Sequence, residues 1–376
     1  MQIPVSRSVE RCNWEDGMQK ADGMNYAPVF QGIAEKVCGP GEFRFGVIGL
    51  DHGHIFAMCN GLKEAGAELV SVWDSDPVKC KEFKERYPEV IIADSEEVVL
   101  ADENLNMIAS AIKPCERCAL GIRAMEHGKD YFADKPGMLT LREIEDAKAV
   151  CERTGRKYIV YFGERIHVEG AAYAEHLIRE GAVGRVLQVT ILAPHRLNKS
   201  TRPEWFFEEE HNGGIITDLG SHQIEQFMTY CGAKSAKVLH SAVANYANKD
   251  KPHFYDFGEG TLLADNGATC WFRVDWFTPD GLGAWGDGRV FIMGTEGSIE
   301  IRKYIDVGVS KQGDIVTLVD KSGEHRSEVT GKVGFKFFGE IIKDCLNRTE
   351  NAITQEHTFE AMRVTIEAQE TAAKIE

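Results

Sequence analysis

Residues 43–77 alternate strand, glycine turn, helix and strand, and that order commits the chain to a parallel sheet with helical crossovers. FRFGVIGL is a short apolar run, LDHGHIFAMCNGLKEAG turns at once into a helix, and ELVSVWDSDP is a second run containing Asp74 near its end. In such a unit the glycine turn sets a pyrophosphate against the helix N-terminus, and an acid closing the second strand takes the ribose hydroxyls. Asp74 stands 25 residues after Gly49, near the usual interval. A carboxylate with no arginine just behind it repels a 2′-phosphate, which favours NAD over NADP.

The glycine pattern departs from G-x-G-x-x-G: its three positions hold Gly49, Asp51 and His54, with an additional Gly53. A side chain at the second position hinders the approach of phosphates, and a negative one repels them. Three outcomes stay open: Asp51 turns away to cap the helix, the dinucleotide sits differently, or it is absent. His52 and His54 read as polar residues around a helix start; no third ligand stands near them in the sequence, and no metal site is expected. Alternation continues through VIIADSEEVV, LNMIASAI with Lys113-Pro114 behind it, ALGIRAMEHG and KDYFADKPG. Ligand-facing groups gather beyond the carboxyl ends of such strands, which is where Asp134, Lys135 and Pro136 fall.

Residues 213–228, GGIITDLGSHQIEQFM, carry the other chemical signal. Ile215, Ile216, Leu219, Ile224, Phe227 and Met228 recur close to helical spacing and predict an amphipathic helix. Asp218 and His222 stand four apart, so they share one face of it. Such a pair can move a proton to or from a hydroxyl, since imidazole titrates near neutrality and a carboxylate can orient it. The plain alternative is a helix cap beside a surface histidine.

Size and charge exclude other classes. A chain of 376 residues with 43% hydrophobic content suits two domains. A net charge of -16 argues against binding nucleic acid or an anionic membrane. With no run approaching a membrane span or a signal-peptide core, the expected place is the cytoplasm. Ten cysteines lack the paired spacing of a disulfide framework or zinc site and are expected to be reduced. Residues 1–42 read as an arm, with Trp14, Tyr26 and Phe30 packing it over a neighbouring domain or subunit. Residues 43–160 form the dinucleotide domain, and 161–376 a substrate and oligomerisation domain with a C-terminal helix in HTFEAMRVTIEAQETAAKI.

In order and spacing, these pieces resemble the family of glucose-fructose oxidoreductase, inositol dehydrogenase and the rhizopine-catabolism oxidoreductases over most of residues 43–370. The family's glutamate-lysine-proline motif resembles Asp134-Lys135-Pro136. Its arginine segment is similar to YFGERIH, with Arg165 kept and Gly163 where an amide is common. Its G-G-x-x-x-D-x-G-x-H motif is matched by Gly213, Gly214, Asp218, Gly220 and His222, and its GTEG turn by Gly294 to Gly297. The resemblance implies an α/β fold: a Rossmann doubly wound parallel sheet, then an α+β domain with a large, mostly antiparallel open sheet, the active site lying between them.

Carried over by position, Lys135, Asp218 and His222 surround the reacting carbinol carbon, with His222 taking the hydroxyl proton and Lys135 bonding the same oxygen. Gly49, Asp51, His52, Gly53, His54, Asp74, Pro114, Asp134, Lys135 and Arg165 would hold NAD. Two departures accompany the altered glycine loop: Cys118 stands where a histidine is frequent, and Lys113 where a small or polar residue is usual. The implied activity is NAD-dependent oxidation of a secondary hydroxyl of a sugar, glycoside or cyclic polyol, or the reverse. The GLDHGH and TPDGLGAWGDGR loops are similar to those of gut-bacterial members that oxidise the 3-hydroxyl of glucosides. Two other readings remain: an NAD-retaining glycosidase acting through transient oxidation, and a sugar-binding protein that has lost catalytic use of NAD.

VLQVTILAPHR, GATCWFRVDWFTP and VFIMGTEGSIEIRKY alternate like half-buried strands of the second sheet. Between them, HRLNKSTRPEWFFEEEHN brings His195, Arg196 and Trp205 either to the substrate or into a solvated loop. Trp285, amid the glycines of TPDGLGAWGDGRV, suits either the apolar face of a sugar or an oligomer interface. The exposed sheet face usual in this family implies a homo-oligomer.

Overall fold

A computed structural model describes residues 22–376. The chain enters β1 (Arg44–Ile48), crosses by α1 (His54–Glu64) to β2 (Glu68–Trp73), and continues through α2 (Pro77–Arg86), β3 (Ile91–Ile92), α3 (Glu96–Ala101), β4 (Met107–Ser110), α4 (Pro114–Glu126), β5 (Asp130–Asp134), α5 (Leu141–Thr154) and β6 (Tyr158–Tyr161). All six strands are parallel, in the order β3-β2-β1-β4-β5-β6. The order reverses between β1 and β4, and ligands of such sheets bind outside that crevice. Strands β4, β5 and β6 are buried along their whole length, and the apolar stretches Met107–Ala109, Tyr131–Ala133 and Tyr158–Tyr161 within them do not alternate with polar residues.

The second half runs through α6 (Gly163–Ile166), α7 (Glu169–Arg179), β7 (Val186–Pro194), α8 (Glu209–Asn212) and α9 (Ser221–Cys231), then β8 (Ala236–Ala244), β9 (Phe257–Ala264), β10 (Thr269–Asp275), β11 (Arg289–Gly294), β12 (Gly297–Arg302), β13 (Ile315–Asp320) and β14 (Gly323–Glu328). It ends in α10 (Lys336–Asn347), α11 (Gln355–Glu370) and β15 (Ala373–Ile375). The nine strands are ordered β14-β13-β12-β11-β7-β10-β9-β8-β15. Only the β10/β7 and β15/β8 pairs are parallel. Helices α7, α9 and α11 pack against this sheet.

Three expectations change. The helix expected over 213–228 opens with a π turn at Ile216–Gly220 before α9 begins. The C-terminal helix stops at Glu370, and the last residues add an edge strand. The second half also returns to the first: Phe337, Phe338, Ile341 and Ile342 of α10 share a core with Ile55, Met58 and Leu62 of α1. Gly61 admits this contact, because a Cβ there would lie 2.4 Å from the Phe338 ring.

Trp14 lies outside the described residues. The described part of the arm lies along its own chain, Tyr26 against Trp285 and Tyr304 and Phe30 against Phe335. Among the described residues, no helix is long and apolar enough to cross a membrane.

Candidate active site

The peptide Lys135-Pro136 at the end of β5 is cis. The Lys135 ammonium donates to Asp218 Oδ1 at 2.7 Å and to the Asp218 carbonyl at 3.0 Å. Two of its three N–H groups are thereby used, leaving one. Asp218 sits in the π turn, a feature frequent at functional sites. Its partner is Lys135, where the four-residue spacing had suggested His222. His222 lines the same cleft, buried, with Nδ1 lacking a partner. Burial drives its pKa well below the ordinary histidine value, against the pull of the Glu164 carboxylate, so the ring is neutral and able to take a proton.

Asp134, fully buried, organises the opposite end of the motif. Oδ1 accepts from the Lys135 N–H at 2.8 Å and faces His54 Nδ1 at 2.9 Å; Oδ2 accepts from Arg117 at 3.0 Å and lies 3.2 Å from His52 Nδ1. Burial alone would raise its pKa; the His54 and Arg117 charges outweigh that and hold it well below the usual range. His52, His54 and Asp134 are, among the described residues, the one group spaced to hold a metal ion, their ligand atoms within 4.8 Å of one another. Asp134 is the third partner that sequence proximity hid, lying 80 residues from His54. Arg117 donates to one Asp134 oxygen and the Lys135 N–H to the other, so both oxygens already accept and the trio forms a network around two imidazoles.

The glycine loop fits a dinucleotide despite Asp51. Gly49 has φ +83, and a Cβ there would come within 2.5 Å of Ile112, so the tight turn requires glycine. Asp74 ties the loop down, its carboxylate accepting the N–H groups of Leu50 at 2.7 Å and Asp76 at 2.8 Å. Asp51 does turn aside, but it does not cap the helix as one of the three options had it: it accepts from Lys79 at 2.5 Å and from the Lys113 N–H at 3.1 Å. Its charge is compensated, and the first N–H of α1, that of His54, donates to His52 Nδ1 at 3.3 Å. Pro114 opens α4 beside this loop. Cys118 is buried on α4, its thiol facing the Glu143 carbonyl; the neighbouring Arg117 reaches the site instead.

Three expected contacts fall elsewhere. Arg165 does not line the cleft: its Nε donates to both Glu225 oxygens at 2.9 Å and its Nη1 to Glu175 at 2.8 Å. Arg196 donates to the Pro279 and Leu282 carbonyls at 3.2 and 2.7 Å and staples that turn. Trp205 packs on Phe206. Arg202 and Phe206 of the same loop line the cleft in their place. His195 and Trp285 do line it, their rings 4.6 Å apart, with Tyr304 4.1 Å from Trp285.

Glu164, Arg202, Tyr304 and the segment 22–26 carry no motif and were missed; a lone carboxylate in YFGERI was the available signal for the first. Residues 23–26 cover the cleft. The Gly23 carbonyl lies 3.0 Å from His54 Nε2, Asn198 donates to Asp22 at 3.1 Å, and Asp22 lies 3.9 Å from Arg202. A cavity of about 30 Å³ remains beneath them.

A Rossmann sheet joined to a nine-stranded sheet, with lysine, aspartate and histidine meeting in the cleft, defines a two-domain oxidoreductase of the dinucleotide-binding kind. Residues 43–162 match the model of the oxidoreductase family with an NAD-binding Rossmann fold, and residues 171–300 match the GFO/IDH/MocA C-terminal domain. The chain belongs to the GFO/IDH/MocA oxidoreductase family. A crystal structure from Erwinia carotovora atroseptica SCRI1043, assigned as an oxidoreductase, is 45% identical and covers 89% of this chain and 100% of its own, with a TM-score of 0.86. The scyllo-inositol 2-dehydrogenase (NAD(+)) of Bacillus subtilis (strain 168) is 26% identical over 69% of this chain and 74% of its own. A levoglucosan dehydrogenase solved with NADH and levoglucosan shares the fold at 18% identity, covering 87% of this chain and 97% of its own with a TM-score of 0.71. The chain spans about half the length of two further curated relatives, 46% and 47%.

Proposed function

We propose that the chain oxidises a secondary hydroxyl of a sugar, glycoside or cyclic polyol with NAD, or reduces the matching ketone. One observation carries the reading: five buried polar atoms on residues lining a single cleft lack a hydrogen-bond partner, namely Glu164 Oε1, Arg202 Nη2, His222 Nδ1, Trp285 Nε1 and Tyr304 Oη. Each such atom left unpaired costs about 1–3 kcal/mol. A ring of hydroxyls answers donors and acceptors alike, while Phe206, Trp276 and Trp285 offer its carbon face an apolar wall. The names of the levoglucosan and scyllo-inositol dehydrogenases support a cyclic polyhydroxylated substrate. The GLDHGH and TPDGLGAWGDGR loops support the narrower proposal that the hydroxyl is the 3-hydroxyl of a glucoside.

Gly49, Gly53, the start of α1 and Asp74 would hold the dinucleotide, with Asp51 neutralised by Lys79. Bound NAD supplies the acceptor for the hydride leaving the carbinol carbon. Lys135, fixed by Asp218, has one N–H left for the carbinol oxygen and stabilises its developing negative charge. Neutral His222 takes the hydroxyl proton. Exposed Phe291, Met293 and Val319 on the nine-stranded sheet support a homo-oligomer, and the free thiols support a place in the cytoplasm.

The test is to denature freshly purified protein and assay the supernatant for nicotinamide dinucleotide, then to screen glycosides and inositols for NADH or keto sugar. Near-stoichiometric dinucleotide, or binding of added NAD, is expected together with oxidation of at least one ring. Sugar binding with no affinity for NAD would overturn the oxidoreductase reading.

A further inference from the structure

Glu164, on α6, and His195, just beyond β7, meet in the cleft with Glu164 Oε1 3.5 Å from His195 Nε2. The other Glu164 oxygen is committed: Oε2 accepts from Lys303 at 2.8 Å and from Gln223 at 3.0 Å. Oε1 has no partner. His195 Nδ1 lies 3.1 Å from the Ala193 carbonyl, which can only accept, so that nitrogen carries the ring's proton and Nε2 keeps a lone pair. Burial keeps the ring neutral, its pKa pushed down to about 4. Both residues are more than nine-tenths buried, at 4% and 6% exposure, and Trp276 and Trp285 hold the imidazole at 5.5 and 4.6 Å between ring centres. Two acceptors therefore face each other with no proton between them. Donors must come from a ligand, or from water when the ligand is absent.

We infer that Glu164 Oε1 and His195 Nε2 form an acceptor pair that binds two adjacent hydroxyls of the substrate, so that the cleft selects a vicinal diol. This deepens the sugar reading and rests on it. Neighbouring hydroxyls on a pyranose or inositol ring present two O–H donors at a comparable spacing, one to each acceptor. A carboxylate or phosphate placed there brings only further lone pairs and a charge repelled by Glu164, so neutral rings are preferred over uronates and sugar phosphates.

The test is calorimetric binding of methyl β-D-glucoside, its monodeoxy derivatives, and myo- and scyllo-inositol to the enzyme loaded with NADH. Binding avoids dependence on which hydroxyl reacts. In the wild type, removal of either of two adjacent hydroxyls is expected to weaken binding ~10-fold or more, as for bonds to a charged or fixed acceptor. In Glu164→Gln, which replaces the charged acceptor by a neutral amide, the penalty for one of those positions falls toward ~3-fold, and in His195→Phe, which removes the acceptor, the penalty for the other collapses to below ~3-fold. His195→Phe keeps a ring against both tryptophans and leaves the Lys303 pair intact, so it carries the test should Glu164→Gln not fold. Variants that discriminate among the deoxy sugars as the wild type does, or costly hydroxyls that are not adjacent, would sink the acceptor pair while the sugar reading stands. Failure of every ring to bind the wild type would remove both.

Discussion

Replacing Arg165 by methionine separates the cofactor role implied by the family motif from the role its contacts give it. The guanidinium is held by Glu225 and Glu175, and the Arg165 and Glu225 side chains are 6% and 0% exposed. Removing it leaves a buried carboxylate with Thr229 at 3.0 Å and His357 at 3.5 Å as its remaining partners. Breaking a buried pair in this way costs about 3–5 kcal/mol. The Glu225 carboxyl agrees with that size: burial raises its pKa, but Arg165 outweighs burial and brings it from 4.5 down to about 2. A depressed acid stabilises the fold above its unfolded value. That stability, about 3 kcal/mol, is present above pH 4.5 and fades as pH falls toward 2. Without Arg165 the carboxyl titrates higher, and acid unfolding begins at a higher pH. Urea unfolding read by tryptophan fluorescence between about pH 3 and pH 8 should show a loss of about 3–5 kcal/mol at neutrality. NAD affinity by calorimetry should stay within ~3-fold. The double variant Arg165→Met/Glu225→Gln, which removes both charges, should recover most of the loss. An unchanged unfolding midpoint with NAD affinity down ~10-fold or more would refute the structural role and restore the cofactor role.

Lys135→Met should lower kcat by ~10²–10³, the usual effect of deleting one donor to a developing oxyanion, while NAD remains bound; wild-type turnover in that variant would dismiss the mechanism. Deleting residues 1–26 should speed the entry of sugar: the cavity left beneath residues 23–26, about 30 Å³, holds about two waters and no pyranose. Stopped-flow quenching of the cleft tryptophans would report it, and an unchanged association rate would show that the segment does not obstruct the site.

Much of the fold was legible because buried parallel strands and crossover helices leave a pattern set by the chain's own packing. The motif residues were legible for a different reason, since Lys135 and Asp218 stand 83 apart and only a family resemblance brought them together before the structure did. The π turn left no trace: Ile215, Ile216 and Leu219 suit an amphipathic helix of either pitch, so periodicity could not register one additional residue in the turn. The same blindness misplaced Arg165 and Arg196. An arginine in a loop or a motif announces a charge, and whether it faces a ligand or a buried glutamate depends on residues such as Glu225, 60 positions away.

Glu164, Arg202 and Tyr304 escaped pattern reading for a related cause. Periodicity records how a chain satisfies itself, whereas these side chains hold atoms that the chain leaves unsatisfied. They also come from three separate segments, so no local spacing joins them. Asp51 is the converse case. Judged alone it contradicted a phosphate site, because a carboxylate stood where glycine was required. In the folded chain, Lys79, 28 residues on, neutralises it and draws it aside. A departure from a motif is thus evidence against function only as far as its compensation is local. Here the compensation crosses from the first turn of the sheet to its second helix, so Asp51 no longer argues against a dinucleotide at the glycine loop.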